Sequence, residues 1–118
     1  LLKSVFSKAN KILITNLQEE ANEEQLKLNT PSDFKYLHLA THGFMKPENA
    51  EKSGILLYQK DAKEDGILYA GEIYNIQLNA ELVVMSACET GLGKSSFGEG
   101  LVGLGRSLLY AGAKNLTL

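Results

Sequence analysis

The 118-residue chain contains one cysteine, Cys88, and two histidines, His38 and His42. A single cysteine forms no internal disulfide and builds no cysteine-based zinc site, so its chemistry is that of a thiol. Beside a histidine, a thiol becomes a nucleophile. The imidazole accepts its proton or raises its thiolate population, and the sulfur then attacks an electrophilic carbonyl. The competing role for Cys88 is that of a small buried hydrophobe. Placement separates the two, because a nucleophile needs its base at the same edge of the fold. Two short runs carry the candidates: HLATHG over residues 38–43 and SACETG over 86–91.

The elements that must position them can be read from the pattern. YLHLAT (36–41) reads as a buried strand ending at Gly43, and ELVVMSA (81–87) as a continuous apolar run typical of a central parallel strand. His42 and Cys88 therefore each fall at the carboxyl end of a strand, where reactive groups gather in open α/β sheets. That placement requires the two strands to be parallel neighbours. His38 lies mid-strand, on the same face as His42, and is expected to be a hydrogen-bonded core histidine.

Other segments complete an alternating pattern. KILIT (11–15) reads as a strand, and Asn22 with Gln25 forms a capping box for a helix over 23–29, stopped by Pro31. GILLY (54–58) and GILY (66–69) flank the polar QKDAKED as a hairpin, followed by a short helix over Ala70–Ile76. The run GLGKSSFGEG (91–100) reads as a glycine-rich loop, with a helix over 100–111 behind it. Glu99 would sit near the positive end of that helix and Gly112 just past its last turn. Leu101, Leu104, Leu108 and Leu109 form its apolar stripe, while Gly103 and Gly105 allow close approach to a sheet. KNLTL begins a further strand. Alternating strands and helices predict one α/β domain over residues 1–118, a sandwich around a mainly parallel sheet.

Composition excludes several function classes. Apolar residues make up 44%, charged residues 22%, and the net charge is −2. Nothing global steers the chain to nucleic acid or to a membrane surface. The opening LLKSVFSKANKILI is too interrupted for a signal peptide, and no segment approaches membrane-spanning length. A free thiol without disulfides suits a cytoplasmic setting. The start at Leu1 and the ending in KNLTL lead us to expect further chain on both sides, the domain here being incomplete.

One rival motif overlaps the cysteine. CETGLGKS, residues 88–95, fits the phosphate-loop pattern GxxxxGK[ST] except at its first glycine, which is Cys88. That position needs glycine's backbone freedom, a second glycine turn (97–100) delays the expected helix, and no apolar run ends in a metal-binding Asp.

Order sharpens the thiol reading. His42 precedes Cys88 by 46 residues and no histidine follows it. Papain-like enzymes place the histidine after the nucleophile, whereas caspase-type enzymes place it about 50 residues before an Ala-Cys motif. The run LHLATHG, then DGILYAGEIYNIQLNAELVVMSACETGLG, then GEGLVGLGRSLLYAGA resembles the CHAT-domain family over roughly 35–118. These are bacterial, caspase-like, separase-related proteases that usually accompany tetratricopeptide repeats. The resemblance implies a caspase-like three-layer α/β/α sandwich acting as a cysteine endopeptidase. It implies His42 as catalytic histidine, Cys88 as nucleophile and Gly43 as an oxyanion-hole contributor, with the Cys88 N–H as a second donor. No metal or organic cofactor is required, and the partners implied are a protein or peptide substrate and a repeat region of the same polypeptide. A preference for a basic residue before the cleaved bond is also implied. Asp33, Asp61, Glu64, Asp65 and Glu72 are present, but the acid that reads such a residue in the relatives lies downstream of the nucleophile, and the resemblance implies a position for it past Leu118. The alternative is a catalytically silent or partner-activated CHAT-like module that only binds or scaffolds.

Overall fold

The computed structural model describes residues 14–28, 33–89 and 94–118. Helix α1 (Glu23–Leu28) is followed by strand β1 (Tyr36–Phe44), the hairpin β2 (Gly54–Leu56) and β3 (Ile67–Tyr69), and the short helix α2 (Ala70–Ile73). Strand β4 (Leu82–Glu89), helix α3 (Lys94–Ala111) and strand β5 (Leu116–Thr117) complete the order. The five strands form one sheet in the order β3-β2-β1-β4-β5.

The sheet is mixed, which corrects the expectation of a mainly parallel one. β1–β4 and β4–β5 are parallel, while β1–β2 and β2–β3 are antiparallel. Connection length explains the difference, because a parallel crossover needs about a dozen residues or more. Residues 45–53 between β1 and β2 hold only a 3-10 turn, Ala50–Lys52, so the chain reverses. Between β4 and β5 lies α3, which is long enough to carry the chain across.

Local chemistry fixes several boundaries. The Gln25 N–H donates to Asn22 Oδ1 at 2.8 Å, one arm of the expected cap on α1. The Tyr69 N–H donates to Glu72 Oε2 at 3.0 Å at the start of α2, and the Ala70 N–H reaches the Ser53 carbonyl at 2.7 Å. The hairpin pairs Gly54 with Tyr69 and Leu56 with Ile67, as its composition predicts. Most of KILIT, together with Pro31 and residues 90–93, lies outside the described residues; Ile14 and Thr15 belong to no strand.

Helix α3 begins at Lys94, six residues before its expected start, so Glu99 lies within it rather than at its positive end. Glycine costs a helix about 1 kcal/mol relative to alanine, which is why the sequence read as a loop. Close packing offsets that penalty. A Cβ on Gly100 would lie 2.5 Å from Met45 Cβ, and one on Gly103 would lie 2.6 Å from Ala50 Cβ. Gly103 thus approaches the turn rather than the sheet, whereas Gly105 faces Leu116 of β5. Leu104 and Leu108 are buried, but Leu109 is 47% exposed and leaves the predicted stripe. Gly112, at φ +119°, ends the helix where its N–H donates to the Leu109 carbonyl.

The core gathers Val83 and Met85 of β4, Ile55 and Leu68 of the hairpin, Ile73 of α2 and Leu104 and Leu108 of α3, with Leu37 and Leu39 of β1 against it. These β1 and β4 residues share one face of the sheet. The alternate residues Tyr36, His38, Ala40, His42 and Ser86 are exposed on the other.

Candidate active site

The two candidate residues sit on adjacent parallel strands. β1 and β4 pair continuously from Tyr36↔Leu82 to Gly43↔Glu89, and within that ladder His42 is the register partner of Cys88. Neighbouring strands lie about 4.8 Å apart, and register partners occupy the same face of a sheet. His42 stands two residues before the end of β1, and Cys88 one residue before the end of β4. Both therefore lie at the carboxyl edge. The parallel-neighbour condition that the sequence imposed is met by the backbone.

Three contacts hold this edge. The Thr41 hydroxyl donates to the Leu56 carbonyl at 2.5 Å, tying β1 to β2 beside His42. Phe44 meets Tyr69 edge to face, with ring centroids 6.1 Å apart. Met45, buried just past β1, abuts Gly100 of α3. Through that last contact the helix following Cys88 bears on the strand that carries His42. Gly43 is buried and pairs with Ile55 on one side and Glu89 on the other, and the strand runs one residue past it, to Phe44. His42 is exposed on the open face.

His38 corrects an expectation. It is hydrogen-bonded, but it is exposed rather than in the core: Nε2 lies 3.1 Å from Ser86 Oγ. Mid-strand position predicted burial, yet the described helices cover only the opposite face. Ser86 was missed as the hydrogen-bond partner of His38.

The acidic candidates lie away from this row. Asp61 and Asp65 accept the N–H groups of Lys63 and Ile67 within the hairpin loop, and Glu72 accepts that of Tyr69. Asp33 is exposed, and Glu64 lies 4.0 Å from Lys27. Lys27 is the centre of that cluster. The hydrogen bond its ammonium donates to Glu23 Oε2, 2.8 Å away, is the largest influence holding it above the usual lysine value. A cavity lined by Leu26, Leu39, Leu68, Ile73 and Leu108 is wholly aliphatic and belongs to the core face, opposite His42. Among the described residues no group of three or more His, Cys, Asp or Glu is arranged to hold a metal ion, and no helix is long and apolar enough to cross a membrane.

The start of α3 also bears on the phosphate-loop rival. With a helix from Lys94 onward, the second glycine turn no longer counts against it, while Cys88 at the motif's first glycine position and the lack of an apolar run ending in a metal-binding Asp remain as objections.

An α/β sheet bearing a histidine and a cysteine as register partners at its carboxyl edge defines the structural class. A family model for the CHAT domain matches residues 2–118, and the chain belongs to the CHAT-domain family, which is related to caspase-like cysteine peptidases. No curated protein and no solved structure matches it.

Proposed function

We propose that this domain is a cysteine endopeptidase in which His42 and Cys88 form the catalytic dyad of a caspase-like α/β/α fold. The observation that supports the reading is the in-register pairing of His42 with Cys88 at the carboxyl ends of parallel strands. Family membership adds the relation to cysteine peptidases.

The chemistry proceeds by acyl transfer. The Cys88 sulfur attacks a peptide carbonyl and its proton passes to His42. The backbone N–H groups of Gly43 and Cys88 face the developing oxyanion. Collapse of the tetrahedral adduct expels the amine, which takes its proton from His42, and leaves a thioester. Water, deprotonated by His42, then releases the carboxylic acid and restores the thiol. A separated resting pair suffices, because the proton moves as the substrate is attacked. The setting that fits is the reducing cytoplasm of a bacterium, in a polypeptide that also carries tetratricopeptide repeats.

Peptide cleavage and melting, measured together, test the reading. Cys88→Ala and His42→Ala each remove cleavage and leave the melting temperature unchanged. Proteolysis retained by Cys88→Ala refutes it. A Cys88 that iodoacetamide alkylates no faster than a free thiol in the full-length, activated protein favours the silent-module alternative.

A further inference from the structure

We infer that residues 1–10 pack as an amphipathic helix on the open face of the β2–β3 hairpin, supplying part of the second helical layer. The inference rests on the three-layer fold of the proposed reading and is independent of its chemistry.

All three described helices cover one face of the sheet. Leu26 of α1 reaches the aliphatic cavity, while Ile73 of α2 and Leu104 and Leu108 of α3 lie in the core. Strands β1, β4 and β5 follow one another in one direction across the sheet, so right-handed crossovers put the helices between them on the same side. A layer on the other side has to come from another part of the chain. Outside the described residues lie 1–13, 29–32 and 90–93, and the first alone is long enough for about two turns of helix. The family match includes that segment from residue 2 onward, so it belongs to the domain.

Its sequence carries the required pattern. Leu2, Val5, Phe6 and Ala9 recur at the spacing of one helix face, with Lys3, Ser4, Ser7, Lys8 and Asn10 between them. Such a stripe needs an apolar seat, and the hairpin has one. Leu57 and Leu68 turn to the core, so the alternate residues Leu56, Tyr58 and Ile67 turn to the open face. Leu56 is 42% exposed and Tyr58 45%. Apart from Tyr36 at its amino end, the β1–β4 half of that face exposes small or polar residues: His38, Ala40, His42 and Ser86.

The approach of the chain agrees. The Tyr58 N–H donates to the Ala21 carbonyl at 2.9 Å, and Lys60 pairs with Glu24, so the chain leading into α1 runs beside the hairpin. The stretch from Asn10 to Ala21 spans up to about 35 Å when extended, ample to turn onto its open face.

Photocrosslinking in the 118-residue chain tests this. Phe6 is replaced by the photoreactive p-benzoyl-phenylalanine, and crosslinks are located by fragment mass spectrometry. The expected result is capture within one chain at Leu56, Tyr58 or Ile67. Capture at Met45 or Met85 of the core face, capture of a second chain, or no capture overturns the inference. Nitration of Tyr58 by tetranitromethane is the second measurement. It is expected to run about tenfold faster in Val5→Asp than in the native chain, the effect of losing one buried valine, and to be unchanged in Ser4→Asp. Equal rates in the native chain and Val5→Asp, or equal gains in both variants, overturn it as well. Neither measurement reads cleavage, so the dyad is judged separately by the Cys88→Ala and His42→Ala assays.

Discussion

Replacing Gly100 by alanine separates packing from propensity at the contact joining the two halves of the site. Alanine in place of glycine stabilises an exposed helix position by about 1 kcal/mol. At Gly100 the new methyl would lie 2.5 Å from Met45 Cβ, where ordinary contact begins at 3.4 Å. The clash is with Cβ, so a rotamer change in Met45 does not relieve it, and α3 or the segment after β1 must move. Overpacking of this kind costs about 2 kcal/mol, from a usual range of 1–3. The net expectation is a loss of about 1 kcal/mol, a melting temperature lower by about 4 °C. Gly105→Ala is the internal control. Its methyl meets only the side-chain tips of Leu116 and Leu118, at 3.1 and 3.3 Å, which can give way. There propensity wins, and stability is unchanged or rises by up to about 1 kcal/mol. Thermal and urea melts of both variants decide the matter. If Gly100→Ala stabilises as much as Gly105→Ala, the packing explanation for a glycine-rich helix beside the site is wrong.

Other outcomes follow from particular contacts. Gly112→Ala loses about 3 kcal/mol by urea melt, since its φ of +119° is strained for any Cβ and the methyl would meet the Leu78 carbonyl oxygen at 2.0 Å. Lys27→Met strands the Glu23 carboxylate, whose side chain is 4% exposed, and loses about 2 kcal/mol by the same assay, less than a fully buried pair because Lys27 itself reaches solvent. The Lys27 contribution also carries a pH signature. Its value in the fold is raised above 10.5, so the stabilisation is complete below 10.5 and is lost as pH climbs through the raised value. Urea midpoints of the native chain and Lys27→Met therefore converge at the alkaline end. His38→Ala changes stability by less than about 0.5 kcal/mol, as befits an exposed residue, where a core histidine would cost several times more.

The placement of the candidate pair was legible because strand ends are marked by composition. The apolar run through Met85 and the alternation through Leu39 gave two strands, and their carboxyl ends placed His42 and Cys88. The hairpin was legible from GILLY and GILY around a charged loop. Three things were hidden, each for a tertiary reason. The direction of β2 depends on how few residues leave β1, which propensity does not record. The first turns of α3 contain Gly98 and Gly100, which deny local helix preference and are offset by Met45, a contact distant in sequence. The exposure of His38 depends on which face the helices cover, and the strand pattern alone does not choose between two faces.

The 46-residue spacing takes on a structural meaning once the register is known. Every β1–β4 pair, from Tyr36↔Leu82 to Gly43↔Glu89, has that same offset. The spacing between histidine and cysteine is therefore the register offset of β4 on β1, set by the crossover between them. The hairpin and α2 occupy that crossover, and their loops can lengthen without moving the pair. What cannot change is the register itself, because a slip of one residue would transfer Cys88 to the core face and send Met85 out to solvent. Burial of Val83 and Met85 thus locks the position of Cys88 opposite His42, and hydrophobic patterning on one face sets the chemistry available on the other.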